Sequence, residues 1–311
     1  MPFFSVVIPL YNKEAYIADT LNSVLNQTFE DFEVIIVNDG STDGSLEMAS
    51  SFKDQRIKIF NQENQGVSVA RNYGIEQSQS DFIALLDADD IWYKNHLEEL
   101  KKLIKTFPEA GLFCNNYKVN RDKDFVTPTK FNFKFDNKCL IIDDFFKSSI
   151  INCVAWTSSV GFKKQDFEEI GCFDINLLTG QDIDLWIRFA LKFKVAFNPK
   201  TTTLYNNYDL LSLSNSKYNN QRYDLINKFI EEEKTLPSLK IYLDINRYAL
   251  AIRCILNDEK VLFKKLKKEI NYSNLNFKQQ ILIRLPKKIL WLSKKIQDYL
   301  IRNEIYLSSY R

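Results

Sequence analysis

Asp87, Asp89 and Asp90 stand within four residues of one another in "ALLDADDIW", directly after an apolar run. Two carboxylates about 4 Å apart repel by roughly 1 kcal/mol in water and by about 4 kcal/mol at the effective dielectric of a protein surface. Such a cluster is stable as a solvated turn, or in a cleft that brings a cation to it. Hard oxygen donors of this kind suit Mg2+ or Mn2+, held through one or two carboxylates together with phosphate oxygens of a substrate. Asp39 closes the apolar run of "IIVNDGSTDGS", where Ser41, Thr42 and Asp43 are residue types that cap a helix. Asp182, in "GQDIDLWIR", reads on its own as a helix N-cap. Arg71 lies one turn inside a helical stretch that opens near Gly66, and a helix start with an arginine attracts phosphate. The single histidine, His96, makes a Ser-His-Asp engine improbable, and five scattered cysteines form no CxxC pair and read as reduced thiols. Chemistry in this chain therefore rests on carboxylates.

These side chains need a frame. "FFSVVIPL", "FEVIIVND", "RIKIFN", "DFIALLDA" and "GLFCNNYKV" read as buried strands. Helical stretches alternate with them: "KEAYIADTLNSVLNQ", "STDGSLEMASSF", "GVSVARNYGIEQS" and "NHLEELKKLIKTF". Continuous apolar strands alternating with helices predict a parallel α/β sheet covered on both faces. Ligands of such sheets bind outside the carboxyl ends of the strands, and "YNKE", "VNDGSTD" and "DADD" each follow a strand. Residues 121–140 are expected to form a polar loop or hairpin, "VAWTSSVGF" a further strand and "DIDLWIRFALKF" an amphipathic helix. Asp90 is expected to cap a helix beginning near Trp92, and Asp184 to face away from Asp182 in a structural role. Beyond about residue 215 the pattern is helical throughout, and no internal repeat is found.

The composition, 45% hydrophobic and 26% charged over 311 residues, is that of a soluble globule with ample core. The formal net charge is +2, but residues 261–311 carry 12 Lys+Arg against 3 Asp+Glu, and the remainder of the chain is net negative. In that basic tail Leu282, Leu285, Ile289, Leu292, Ile296 and Tyr299 form one apolar stripe, with lysines and arginines largely off it. Two readings stay open for residues 279–303: an interfacial helix on anionic lipid, with Trp291 near the headgroups, or a helix packed on the rest of the chain. The basic charge lacks interleaved base-stacking motifs, so nucleic acid is not an expected partner. "MPFFSVVIPLYN" shows no basic region followed by a cleavage site, and no run of 18 apolar residues occurs. The expected location is cytoplasmic, with peripheral contact to the inner face of the cell membrane.

Five ordered blocks, "SVVIPLYN", "IIVNDGSTDGS", "NQGVSVARNYGI", "LLDADD" and "GQDIDLWIR", resemble the inverting family 2 glycosyltransferases of the GT-A fold across roughly residues 3 to 210. The resemblance implies a Rossmann-like, mostly parallel sheet flanked by helices, with a helical C-terminal extension. It implies a catalytic domain over 1–212, divided into a nucleotide-sugar half (about 1–120) and an acceptor half (about 121–212), then a basic helical region over 213–311. In this family Asp39 would read the base of a nucleotide, typically a uracil imide N–H, and Arg71 would lie near the nucleotide. In the DxD motif Asp87-Ala88-Asp89, Asp89 would bind Mn2+ or Mg2+, and Asp87 the ribose or a metal-bound water. Pro9, Tyr11, Glu14, Asn64, Gly66 and Ala88 would complete the donor site, and Asp182 would be the catalytic base. Family members usually carry a glutamate before that aspartate, where this chain has Gln181. They also often carry a basic residue or histidine where "LYNNYDLLSLSNS" offers only Ser212 and Ser214. The implied reaction moves a sugar from a nucleotide-diphospho-sugar, UDP-linked, to a hydroxyl of a cell-surface or lipid-linked glycan with inversion. Two alternatives remain. A sugar-1-phosphate nucleotidylyltransferase would want a glycine-rich, arginine-bearing loop where the chain has "PLYNKEAYI", and a nucleotide-sugar-binding scaffold without catalysis is suggested by Gln181.

Overall fold

The structure, a computed structural model, describes residues 1–122, 125–207 and 218–310. Its first part alternates as the apolar pattern predicts: β1 (Phe4–Leu10), α1 (Ile17–Leu25), β2 (Phe32–Asp39), α2 (Ser45–Ser51), β3 (Ile57–Gln62), α3 (Val67–Glu76) and β4 (Phe82–Leu85). There follow β5 (Ile91–Trp92), α4 (His96–Thr106), β6 (Ala110–Asp122), β7 (Phe125–Pro128), β8 (Leu140–Ile141), α5 (Phe145–Ser148), β9 (Val160–Lys163), α6 (Lys164–Glu169), α7 (Gln181–Lys192) and β10 (Lys194–Asn206). The remaining helices are α8 (Asn219–Asn227), α9 (Glu232–Thr235), α10 (Pro237–Leu256), α11 (Lys260–Glu269), α12 (Phe277–Leu282) and α13 (Lys287–Arg302).

One sheet carries the strands in the order β3-β2-β1-β4-β9-β6-β10-β5. The pairs β3–β2, β2–β1 and β1–β4 are parallel, as is β6–β10; β9 runs antiparallel to both β4 and β6. The mostly parallel α/β sheet expected from the sequence is therefore present, with one reversed strand at its centre. After β3 the chain returns across β1 to lay down β4 on the other side, which makes the carboxyl ends of β1 and β4 a topological switch point. The register Phe4↔Phe32 through Leu10↔Asn38 keeps β1 and β2 ending level, so residues 11–14, 40–44 and 86–90 share one rim. Phe4, Val6, Ile8, Leu21, Val34, Ile36, Leu100 and Phe113 belong to one buried cluster that holds this sheet against its helices. Helix α3 lies on β1 and β2 with no room to spare: a Cβ at Gly74 would sit 2.6 Å from Val7 Cγ1.

Local boundaries differ from the sequence reading at two places. Residues 91–92 pair antiparallel with Thr203 and Leu204 of β10, and the helix expected near Trp92 begins at His96 behind Asn95. "VAWTSSVGF" is strand only from Val160, with a 3-10 turn over Thr157–Ser159 before it.

The chain separates into two compact units. The first is Met1–Asn120, Lys134–Asp143 and Val154–Asn207; the second is Arg121–Phe133, Asp144–Cys153 and Tyr208–Arg311. Segments 121–133 and 144–153, assigned by linear order to the acceptor half, thus group with the C-terminal helices. Within the second unit the 20-residue α10 is the central element, opened by Pro237 at a position where its missing N–H costs nothing. Among the described residues no helix is long and apolar enough to cross a membrane.

Candidate active site

The first rim is stitched by side chains. Asn12 accepts from Thr42 N (2.8 Å), Lys13 N donates to Ser45 Oγ (2.7 Å), and Gly44 N donates to Glu14 Oε2 (3.0 Å). Glu14 therefore braces the loop after β2, while Tyr11 is exposed and Pro9 half-buried at the end of β1. Asp43 accepts from Ser45 N (3.0 Å) ahead of helix α2, whose N-cap place is held by Gly44 without a side-chain cap. Ser41, Thr42 and Asp43 thus brace the loop and do not cap the helix as the sequence reading expects. Burial works to raise the Asp43 pKa, but the Ser45 and Glu14 hydrogen bonds outweigh it and leave the carboxyl below its usual range. With this loop fixed, the Lys13 side chain extends to Asp89, Nζ to Oδ2 at 2.6 Å.

Asp39 ends β2 buried, and its carboxylate is already engaged. Oδ1 accepts from Gln62 Nε2 (2.7 Å) and Gln65 N (2.8 Å), and Oδ2 from Gly66 N (2.9 Å). These bonds shape the turn into α3, which Gly66 enters at φ +93°. A carboxylate oxygen accepts about two hydrogen bonds, so Oδ2 retains capacity for one further N–H. Asn64 is exposed, and Gly40, at φ +69°, lets the backbone of Asn64 close to within 2.8 Å of where a Cβ would be.

The three carboxylates of "DADD" are compensated in three ways. Asp87 pairs with Arg71 Nη2 (2.5 Å), and its backbone N–H donates to Ser158 Oγ (3.1 Å). Ala88 is buried, its carbonyl accepting from Thr20 Oγ1 (3.0 Å). Asp89 is partly exposed and pairs with Lys13, while its carbonyl accepts from Asn206 Nδ2 (2.6 Å). Asp90 does not cap a helix, as the sequence reading had it. It is buried, accepting from Ser158 Oγ (2.6 Å) and Asn206 N (2.9 Å), and ties the end of β4 to the end of β10. Burial raises its pKa well above the carboxylate range, the charges of Asp89 and Asp87 add to that, and the two hydrogen bonds oppose it.

Asp182 sits in the first turn of α7, two residues after Gly180, which holds the N-cap place in a left-handed conformation (φ +74°). It is half-buried, and its Oδ1 accepts from Ile183 N (2.9 Å). Burial raises its pKa, the Arg71 guanidinium opposes that, and the Asp87 charge adds to it. Asp182 thus shares the electrostatic neighbourhood of the Asp87–Arg71 pair. Asp184 is buried on the other side of the turn against Arg188 (2.5 Å), the structural position expected for it. Gln181 is buried, and among the described residues neither its Oε1 nor the buried Nε and Nη1 of Arg71 has a hydrogen-bond partner. Ser212 and Ser214 lie outside the described residues.

Lys13, Ser158 and Asn206 are parts of this site that the sequence reading did not assign. Lys13 carried a signal, since "YNKE" follows β1 on the same rim; Ser158 and Asn206 had none, being 68 and 116 residues from Asp90. For a divalent cation the donor chemistry at Asp89 is suitable: a partly exposed carboxylate binds such an ion together with substrate phosphate oxygens. Among the described residues no group of three or more His, Cys, Asp or Glu is arranged to hold a metal ion by itself.

An α/β sheet with a switch point defines the class, and solved structures share this fold. The crystal structure of S. aureus TarS 1-349 in complex with UDP-GlcNAc aligns with a TM-score of 0.68 at 16% identity, over 98% of this chain and 93% of that one. An uncharacterized glycosyltransferase of Rickettsia conorii is 33% identical over 189 residues, 60% of this chain and 30% of that protein. One from Rickettsia typhi is 31% identical over 201 residues, 63% of this chain and 61% of that protein. The chain therefore spans less than two thirds of the length of either relative. The putative teichuronic acid biosynthesis glycosyltransferase TuaG of Bacillus subtilis is 34% identical over 200 residues, 63% of this chain and 75% of that protein. The family model for glycosyl transferase family 2 matches residues 5–171, more than half of the sequence. The chain belongs to glycosyl transferase family 2.

Proposed function

We propose that this protein is an inverting glycosyltransferase, which moves a sugar from a UDP-linked donor to a hydroxyl of a cell-surface or lipid-linked glycan. The observation that carries the reading is the pairing of Asp87 with Arg71 and of Asp89 with Lys13 on one strand-end rim, where the Arg71 and Asp87 charges also act on Asp182. The UDP-GlcNAc complex of TarS and the teichuronic acid biosynthesis role in the name of TuaG support the donor and acceptor classes. Asp39 accepts the base N–H on its remaining Oδ2 lone pair, and discriminates against bases lacking that donor because that lone pair would be covered without a partner. Arg71 holds Asp87 toward the ribose. Asp89 would hold Mn2+ or Mg2+, which would supply Lewis-acid stabilisation of the departing nucleoside diphosphate. Asp182 takes the proton of the acceptor hydroxyl as it attacks the anomeric carbon. Burial of Asp182 serves that task by making the carboxylate a better proton acceptor.

Asp182→Asn keeps the shape and removes the proton acceptor. Turnover of the UDP-sugar is expected to fall by about 10²–10⁴-fold, while the sugar nucleotide still raises the melting temperature in the presence of Mn2+. A loss under about threefold would remove Asp182 from the base's role, and failure of any sugar nucleotide to stabilise the parent protein would remove the donor reading.

A further inference from the structure

Helix α13 turns its apolar stripe outward. Its inward side is formed by buried Leu290, with Ser293, Gln297 and Leu300 half-buried along the same line. Ile289, Leu292, Ile296 and Tyr299 stand in solvent, between 48% and 66% exposed. About half or more of each of these apolar side chains is therefore left uncovered by the described part of the chain. Lys288, Lys295 and Arg302 recur at seven-residue intervals along the outward edge of this stripe, all exposed. Lys295 Nζ lies 3.8 Å from the centre of the Trp291 ring, which is itself half exposed beyond that edge.

The 3–4 spacing of the stripe is also that of a coiled-coil seam, so a second copy of the chain is the competing occupant. Partner choice in such seams is set by the charges that flank them. Here the flanking positions on the outward edge are all basic, and the other edge is turned inward. A second copy would meet Lys288, Lys295 and Arg302 with the same sign. An anionic bilayer meets both halves of the pattern: apolar side chains enter the acyl boundary while the basic edge and Trp291 stay at the headgroups. The local charge agrees, with 12 Lys+Arg against 3 Asp+Glu over residues 261–311. We propose that the outer face of α13 docks this protein on an anionic lipid membrane. The inference does not depend on the sugar-transfer reading.

The test uses the full chain, co-sedimented with vesicles of phosphatidylcholine alone and with vesicles of phosphatidylcholine and phosphatidylglycerol in equal parts. Sedimentation with the anionic vesicles, lost in high salt, is expected. The double variant Leu292→Glu/Ile296→Glu and the triple variant Lys288→Glu/Lys295→Glu/Arg302→Glu should each bind at least about tenfold more weakly. Both alter only exposed side chains, so unchanged thermal unfolding by circular dichroism is expected alongside the loss. Absence of the parent from the anionic pellet overturns the proposal, as does parent-like binding by either variant or equal binding to neutral vesicles. A parent dimer in light scattering that Ile296→Glu dissociates also overturns it, assigning the stripe to self-pairing.

Discussion

Lys13 reaches Asp89, Arg71 reaches Asp87, and Asp90 is served by Ser158 and a backbone N–H of Asn206. Two carboxylates of the cluster pair with cations of the chain itself, and the third is a buried acid whose pKa is raised. The acidic run itself was legible in the sequence; its partners were not, because Lys13 lies 76 residues from Asp89 and local patterning says nothing at that range. His96 makes the same point. As the single histidine it was set aside for catalysis, yet it is buried, stacked on Trp92 at 4.0 Å, with Nδ1 at 2.8 Å from Thr202 Oγ1. Burial pushes its pKa from 6.5 down to about 3. Below the ordinary value the unfolded chain takes up a proton that the folded chain refuses, so this contribution to stability falls as pH drops. The slope approaches about 1.4 kcal/mol per pH unit. Urea unfolding should therefore show a loss of about 1.4 kcal/mol between roughly pH 7.5 and 5.5 that His96→Leu does not share. Parallel pH profiles for the two proteins would refute the assignment.

At the scale of elements, β1 to β4 and α1 to α4 follow from apolar runs alternating with amphipathic ones, and the rim follows from where those strands end. Short elements resisted this reading: β5 and β9, of two and four residues, owe their conformation to β10, β4 and β6 rather than to their own sequence. The α13 stripe was legible as a stripe, but which way it faces depends on the side that Leu290 takes. Helix α3 shows how packing serves the site, since it carries Gly66 at its entry and Arg71 one turn inside. Gly74 allows this helix to rest directly on the sheet: an added Cβ would meet Val7 Cγ1 at 2.6 Å and Val37 Cγ2 at 3.1 Å, both on central strands. Gly74→Ala gains about 1 kcal/mol of helix propensity, against an overpacking cost of about 1–3 kcal/mol. A lower melting temperature is expected, together with weaker binding of the sugar nucleotide because Arg71 moves with the helix. A variant as stable as the parent would show that the sheet yields without cost.

Across the whole molecule each of the two compact units has buried apolar side chains, and the second adds a buried charge network to them. The first has the continuous apolar cluster under its sheet, and every residue proposed to bind the donor or act as base lies within it. The second is assembled from three separate stretches of chain, which linear reading had no means to join. Beside buried apolar residues such as Leu239, Leu243, Leu250 and Leu266 it holds a buried charge network. Arg247 of α10, buried, donates to Glu233 through both terminal nitrogens (2.7 and 3.1 Å) and to Asp244 (3.1 Å). Lys240 pairs with Asp244 at 2.8 Å, and the other Asp244 oxygen accepts from Asn274 Nδ2 at 2.8 Å, so the turn before α12 is fixed to α10 by the same carboxylate. Two cations and two anions balance. Removing one cation leaves Glu233 and Asp244 short of their main partner in a buried setting, which typically costs about 3–5 kcal/mol. Arg247→Ala is therefore expected to lower the thermal midpoint markedly. Below that midpoint the affinity for the sugar nucleotide should stay within about twofold of the parent, less than about 0.5 kcal/mol, since no donor-binding residue has been touched. Arg247→Lys restores the charge without the paired nitrogens and should recover only part of the loss. If Arg247→Ala melts with the parent, the network contributes nothing to the fold, and the apolar residues of α10 alone hold the second unit together.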